Sequence, residues 1–538
     1  WVCSPLRVTA VTRSLSNEGW GRLLEFDDLD GQPHQWAMPL ALLSGDGAEV
    51  RRILLDQGLR ISPVQRSRNL LNQFLQTAAP AARCLATEKT GWVGGCFVLP
   101  DATIGQTDQR ILLQTGGTRI SGYGCAGSLD GWRKQVAVHC TGNSRLILAV
   151  AAAFAAPLLH ICDAEPGGFH LRGASSLGKS TAMLVAASVW GGHDRLRRWR
   201  ATDNSLEVVA CENNDALLLL DELKEADPKT LGQSIYMLAH GAGKVRLSRD
   251  ATARPILTWR VLLVSSGEIG LADHVEAAGQ RFNAGMEARV VDVPADAGQG
   301  FGLFDTLHHF TSGGDLARHL TEASKRHHGH AARAFIEKVA QDPDAIKTRW
   351  TQARDALVAA MVGQQDAAGM VYRVASRFAL CAFAGELASE WGITGWQPGE
   401  ATRGVTTTFG AWLNARGGYG ASEDMDSLRC VRDFIQAHGE ARFVPTDVPD
   451  QKQLRTIHRA GCVDFRDGEP FYFIFTGTFR GEVCKGMDYR AVARILKERG
   501  HLLCDGDRLT TKSPRLHDGS RHRAYCVKAS ILDDDLIL

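Results

Sequence analysis

Residues 173–180 read GASSLGKS, a complete GxxxxGK[ST] run, and nothing else in the chain restricts its fold as tightly. The strand-like FHLR precedes it and the helical TAMLVAASVW follows. Such a run works as the turn between a buried strand and the amino end of a helix, so it requires an α/β sheet with crossover helices. Gly173, Ala174, Ser175, Ser176 and Leu177 form the turn, whose backbone N–H groups wrap phosphate oxygens, and Gly178 closes it. Lys179 reaches the β- and γ-phosphates, the Ser180 hydroxyl ligates Mg²⁺, and Thr181 leads into the helix. The expected ligands are therefore ATP and Mg²⁺.

At 538 residues the chain has room for three or four domains. Residues 1–134 alternate apolar and polar positions in short bursts (RVTAVTR, GRLLEFDD, HQWAMPLALL, GGCFVLP), with helix periodicity near 48–59 and 69–76, and read as a mixed α/β domain. Across 135–303, strand-length apolar runs alternate with helix-length stretches, the pattern of a parallel sheet. Residues 304–421 read as helical and close on a glycine-rich linker. Residues 422–538 read as helix, strand hairpin (FYFIFTGTFRGEVC), helix (DYRAVARILKERG) and basic hairpin, the order of a winged helix.

Composition excludes several classes. The longest apolar run, LILAVAAAFAAPLL at 146–159, is too short to span a bilayer and is broken by Pro157, so it reads as a buried helix. Thirteen cysteines without a CxxC pair suit reduced thiols in a cytoplasm rather than zinc or disulfides. With 61 basic against 60 acidic residues, any nucleic-acid surface must be local. One such place is 485–528, with 11 Lys and Arg against 5 Asp and Glu. His327, His328 and His330 lie in a polar stretch, KRHHGH, read as helical and without partner ligands. The chain opens on Trp1 and enters strand-like sequence at once, so a longer parent with further N-terminal activity is expected.

Three later strands extend the chemistry. ALLLLDE is a buried-strand run ending in two carboxylates, with Asp221 placed to hold Mg²⁺ and Glu222 to polarise an attacking water. TWRVLLVSSGE brings Ser265 and Ser266 to a strand end, where Ser266 can sit beside the γ-phosphate. ARVVDVP is introduced by Arg281 and Arg289, either of which serves as an arginine acting on a neighbour's nucleotide or as a surface ion pair. Between the second and third strands, Lys244, Arg246, Arg249 and Arg254 cluster around turn residues. They read as a basic hairpin gripping DNA phosphates, as a solvated loop, or as a face toward a neighbouring nucleotide.

Together TDNSLE (202–207), NNDALLLLDEL, YMLAHGAGKVR, SSGEIGLADH (265–274) and GMEARVVDVP resemble the helicase-like domain of unknown function 927, from the leading domain to about residue 304. The resemblance implies an ATP-driven replicative DNA helicase of a mobile genetic element. The expected fold is a P-loop AAA+ ATPase core with an N-terminal α/β domain, a helical region and a C-terminal winged helix. Its expected partners are single-stranded or forked DNA, further copies of itself in a hexameric ring, and a primase or other replication proteins, with no membrane. The rival reading is an ATP-dependent switch that binds DNA without translocating.

Overall fold

The alternating bursts at the start of the chain become strands. β1 (Leu6–Arg13), β2 (Gly21–Asp27) and β3 (Pro33–Pro39) pair antiparallel, and β4 (Arg83–Thr87) adds to β1 in parallel. A short meander of β5 (Gly91–Val93), β6 (Cys96–Val98) and β7 (Thr103–Ile104) follows. β8 (Ile111–Leu113) then returns beside β4 and completes the order β3-β2-β1-β4-β8. Helices Ala48–Asp56 and Gln65–Thr77 carry Val50, Ile53 and Leu54, and Leu71 and Leu75, at helical spacing. Those stripes pack on Leu24, Phe26, Trp36 and Met38 of the sheet. The structure is a computed structural model that describes all residues except 116–121, 201–202, 245–255, 364–366, 417–421, 447–457, 467, 507, 517–518 and 534–538.

A second, wholly parallel sheet follows. Its strands are β9 (Gly167–Arg172), β10 (Leu196–Arg198), β11 (Leu217–Asp221), β12 (Leu262–Gly267) and β13 (Val290–Pro294), in the order β10-β11-β12-β9-β13. β11 and β12 are continuous apolar runs because helices cover both faces of a parallel sheet. Helix Ser144–Ala155, buried along its whole length, packs against helix Lys179–Trp190. It ends short of Pro157, which cannot continue the hydrogen-bond ladder, and its alanines let the two helices approach closely.

Helices Gly313–Arg326, His330–Gln341 and Pro343–Val362 follow, then Gly369–Glu390 and Glu400–Ala415. KRHHGH is not continuous helix. The first of these helices stops at Arg326, and His328 exchanges backbone hydrogen bonds with Ala126 in an isolated bridge. The described chain divides into two compact units, Trp1–Gly363 with Tyr372–Trp412, and Gln364–Val371 with Leu413–Leu538. Among the described residues no helix is long and apolar enough to cross a membrane.

In the second unit, helix Ser422–Arg442 leads into β14 (Phe443–Pro445), β15 (Gly461–Arg466) and β16 (Glu469–Phe475). After helix Tyr489–Glu498 come β17 (Leu502–Leu503), β18 (Thr511–Lys512) and β19 (Arg523–Lys528). β19 pairs with β16, β17 and β18. The hairpin expected within FYFIFTGTFRGEVC is displaced. FYFIF is β16, its hairpin partner is the upstream β15, and residues 476–483 turn helical. That turn buries Phe479 and stacks its ring on Tyr525, with centroids 3.9 Å apart.

Candidate nucleotide site

In a parallel sheet all carboxyl ends lie on one edge, and register shows which residues meet there. Arg198 is opposite Asp221, Leu220 opposite Ser265, and Arg172 opposite both Gly267 and Pro294. The turn 173–178 leaves this rim at Gly173, whose N–H donates to Gly267 O at 3.2 Å. Ser176 (φ 65°) and Gly178 (φ 96°) are both left-handed, a geometry that aims successive N–H groups into one hollow. Lys179, the first helical residue, folds its Nζ back over the turn and donates to Gly173 O at 2.7 Å and Ala174 O at 2.6 Å. Burial draws its pKa below the ordinary lysine value, while the facing carboxylates of Glu268, Glu222 and Asp221 oppose that shift. Ser180 is exposed on the first helical turn and Thr181 is buried.

Asp221 ends β11 and gathers two donors on Oδ1, the Ser266 hydroxyl and the Glu222 N–H at 3.0 Å. Glu222 is exposed and left-handed at φ 59°, ψ 65°. For a non-glycine residue that conformation costs ~1 kcal/mol or more, and such strain concentrates where a side chain must be aimed. Ser265 faces away from Ser266, because neighbouring strand residues point to opposite sides. Its Oγ accepts from Trp199 Nε1 at 2.7 Å and lies 3.0 Å from His170 Nδ1.

His170 sits in the middle of β9, wholly buried, with Nε2 3.1 Å from Ile269 O. Burial pushes its pKa down from 6.5 to about 4. The unfolded chain therefore binds the proton first as pH falls. The stability contribution is whole above about 6.5 and is lost as pH falls toward 4, at up to ~1.4 kcal/mol per pH unit. Thermal melts between pH 7 and 4 should show a shallower pH dependence in His170→Asn than in the parent. Equal slopes would mean that this imidazole is not held neutral by the fold.

Three rim residues carried no signal as site groups in the sequence. Glu268 follows directly on β12, faces Lys179 and forms an ion pair with Lys224. Arg172 Nε, one residue before the turn, meets Asp292 Oδ1 of β13 at 3.2 Å. Burial raises the Asp292 carboxyl to about 6 against the pull of Arg172. Arg172 and Glu268 stand at strand ends and Asp292 two residues inside the end of β13, but which of them adjoin is set by strand order.

Other sequence candidates lie elsewhere. Arg289 precedes β13, whose Val290 pairs with Gly168 at the start of β9, the far edge from the turn. Its guanidinium donates to Gly285 O at 2.8 Å and lies over the Tyr236 ring, 4.4 Å from the centroid. Arg281 is exposed. Lys244 is exposed, and its backbone N–H donates to Glu207 Oε1 at 3.2 Å. Arg246, Arg249 and Arg254 lie outside the described residues.

Residues 1–257 match the family model for the domain of unknown function DUF927. Over those residues the chain is a DUF927 protein. The match takes in the turn, Lys179, Asp221 and Glu222, whereas Ser266 and Arg289 of this DUF927 protein lie beyond it. The resemblance read from the sequence ran further, to about residue 304. A solved structure, SCCmec type IV Cch, described as an active helicase, is similar in fold to the DUF927 chain, with a TM-score of 0.70. At 17% identity, the likeness covers 99% of this chain and 95% of that one. No curated protein matches the chain.

Proposed function

We propose that this DUF927 protein is an ATP-driven DNA helicase of a mobile genetic element, working in the cytoplasm as a hexameric AAA+ ring. The observation that carries the reading is the gathering of the turn 173–178, Lys179, Asp221, Glu222 and Ser266 on one edge of a parallel sheet. Its support at the level of the whole chain is a fold likeness to an active helicase from end to end.

In this reading residues 135–303 are the ATPase core and 1–134 a leading α/β domain. Residues 304–421 form a helical region, and 422–538 a winged-helix module. The exposed face of helix Tyr489–Glu498 carries Arg490, Arg494 and Lys497, opposite the buried Val492, Ala493 and Leu496. That face suits duplex phosphates. Lys244, with Arg246 and Arg249, would grip the phosphates of single-stranded or forked DNA in the ring's pore. A primase or other replication protein would act alongside.

The backbone N–H groups of the turn bind the phosphates, and Lys179 exchanges its carbonyl partners for phosphate oxygens. A serine hydroxyl and a carboxylate are the hard oxygen donors Mg²⁺ takes, so Ser180 and Asp221 would hold it. When bound, the ion neutralises charge developing on the transferred phosphoryl group. Ser266 holds the Asp221 carboxylate in place by donating to it. Glu222, aimed by its left-handed backbone, orients the attacking water and accepts its proton.

The test is strand separation on a forked DNA with ATP, measured together with ATP turnover with and without that DNA. Unwinding that Lys179→Ala abolishes, with turnover accelerated by DNA, is the expected outcome. Turnover indifferent to DNA, with no strand separated, would favour the ATP-dependent switch.

A further inference from the structure

A cavity of ≈ 490 Å³ opens beside the turn, walled on one side by Ser176, Leu177 and Gly178 and on the other by 300–302, Phe304, Leu307 and the start of helix Gly313–Arg326. The second wall is fixed. Arg145, buried in helix Ser144–Ala155, donates to Pro294 O at 3.2 Å and Asp296 O at 2.9 Å. Asn143 Oδ1 accepts from Asp305 N–H at 2.8 Å and Thr306 N–H at 3.0 Å. Between these anchors, Leu303 N–H donates to Leu177 O at 2.8 Å. Gly302, at φ +66°, permits that approach, since a Cβ there would stand 2.7 Å from Leu177 O.

Phe304 is buried under the turn, but Phe301 leaves 43% of its surface exposed at the cavity mouth. An exposed aromatic ring on an anchored turn next to a phosphate-binding hollow is a stacking platform. Two hydroxyls of the wall are engaged by a carboxylate behind it, for the Thr311 hydroxyl donates to Asp315 Oδ2 at 2.5 Å and the Ser312 hydroxyl to the same oxygen at 2.8 Å.

We propose that this cavity takes the base of the nucleotide whose phosphates occupy the turn, with Phe301 stacked on it. The inference rests on the phosphate-binding reading of the turn. A base stacked on Phe301, in a hollow whose Thr311 and Ser312 hydroxyls already donate to Asp315, is read by shape, and shape discriminates weakly where hydrogen-bonding sites discriminate strongly. The site therefore accepts a purine and does not separate adenine sharply from guanine.

The experiment measures binding of Mg·ATP, Mg·GTP and Mg·tripolyphosphate, the last carrying phosphates and no base, to the full chain and its Phe301 variants. GTP should bind within about tenfold of ATP. Phe301→Ala should weaken ATP and GTP about tenfold and leave tripolyphosphate unchanged, while Phe301→Trp restores both nucleotides. Because Phe301 is exposed, its loss leaves the core intact, and an unchanged melting temperature checks this. Unaltered ATP binding in Phe301→Ala, or an equal loss for tripolyphosphate, overturns the stacking role. A parent chain that prefers ATP to GTP by about a thousandfold overturns the readout by shape. If the parent binds neither ATP nor tripolyphosphate, the phosphate-binding reading itself falls and this inference with it.

Discussion

Glu222→Gln is expected to keep ATP bound with nearly the parent affinity while turnover falls by ~10²–10⁴-fold, the usual worth of a positioned general base. The separation follows from placement. Lys179 lies over the turn that would hold phosphates, whereas Glu222 stands past the end of β11, beyond Asp221, and makes no hydrogen bond with the turn's backbone donors among the described residues. Glutamine keeps the size of the side chain and much of its reach but cannot take a proton. Lys179→Ala, in contrast, should lose binding and turnover together, since the phosphates lose their one lysine contact at the turn. Equilibrium binding of labelled ATP, paired with phosphate release, distinguishes the two variants. A Glu222→Gln protein that turns over at the parent rate would remove this residue from the chemistry. The strained backbone at φ 59° would then need another explanation.

Arg289→Ala is expected to lower turnover by ~10³-fold or more, the effect of losing an arginine that neutralises transition-state charge. It should do so in the ring and from a neighbour. Arg289 cannot serve its own turn. Val290 pairs with Gly168, so the backbone of Arg289 is about six residues of strand, roughly 20 Å, from Gly173, at the opposite edge of the sheet. Within its own chain its guanidinium is held by Gly285 O and the Tyr236 ring. Mixing Arg289→Ala with Lys179→Ala subunits should recover part of the activity, because a mixed interface can pair an intact loop with an intact arginine. Matching melting temperatures for parent and Arg289→Ala would show that losing the Tyr236 contact is not the cause. Full turnover by a dilute, demonstrably monomeric preparation would end both the trans role and the ring.

Much of the molecule is local enough to be read one segment at a time. The turn 173–180 carries its own constraints, because glycine at left-handed φ and a helix amino end are properties of a few consecutive residues. The strands around it are apolar runs of strand length, and the helix at 144–155 announces its burial by the unbroken apolar run from Leu146 onward. Period-two alternation also dictates that Ser265 and Ser266 face opposite ways. Which of them meets Asp221 is not local. It depends on β12 lying between β9 and β11, so that one serine turns to the carboxylate while the other joins His170 and Trp199 in the core. The same holds for Glu268 beside Lys179, for Arg172 against Asp292, and for Phe301 next to a turn more than a hundred residues earlier. Each of these contacts joins strand ends or turns far apart in the chain, and only the order and register of the sheet bring them within reach, since pairing energy is shared between segments and written in neither one alone.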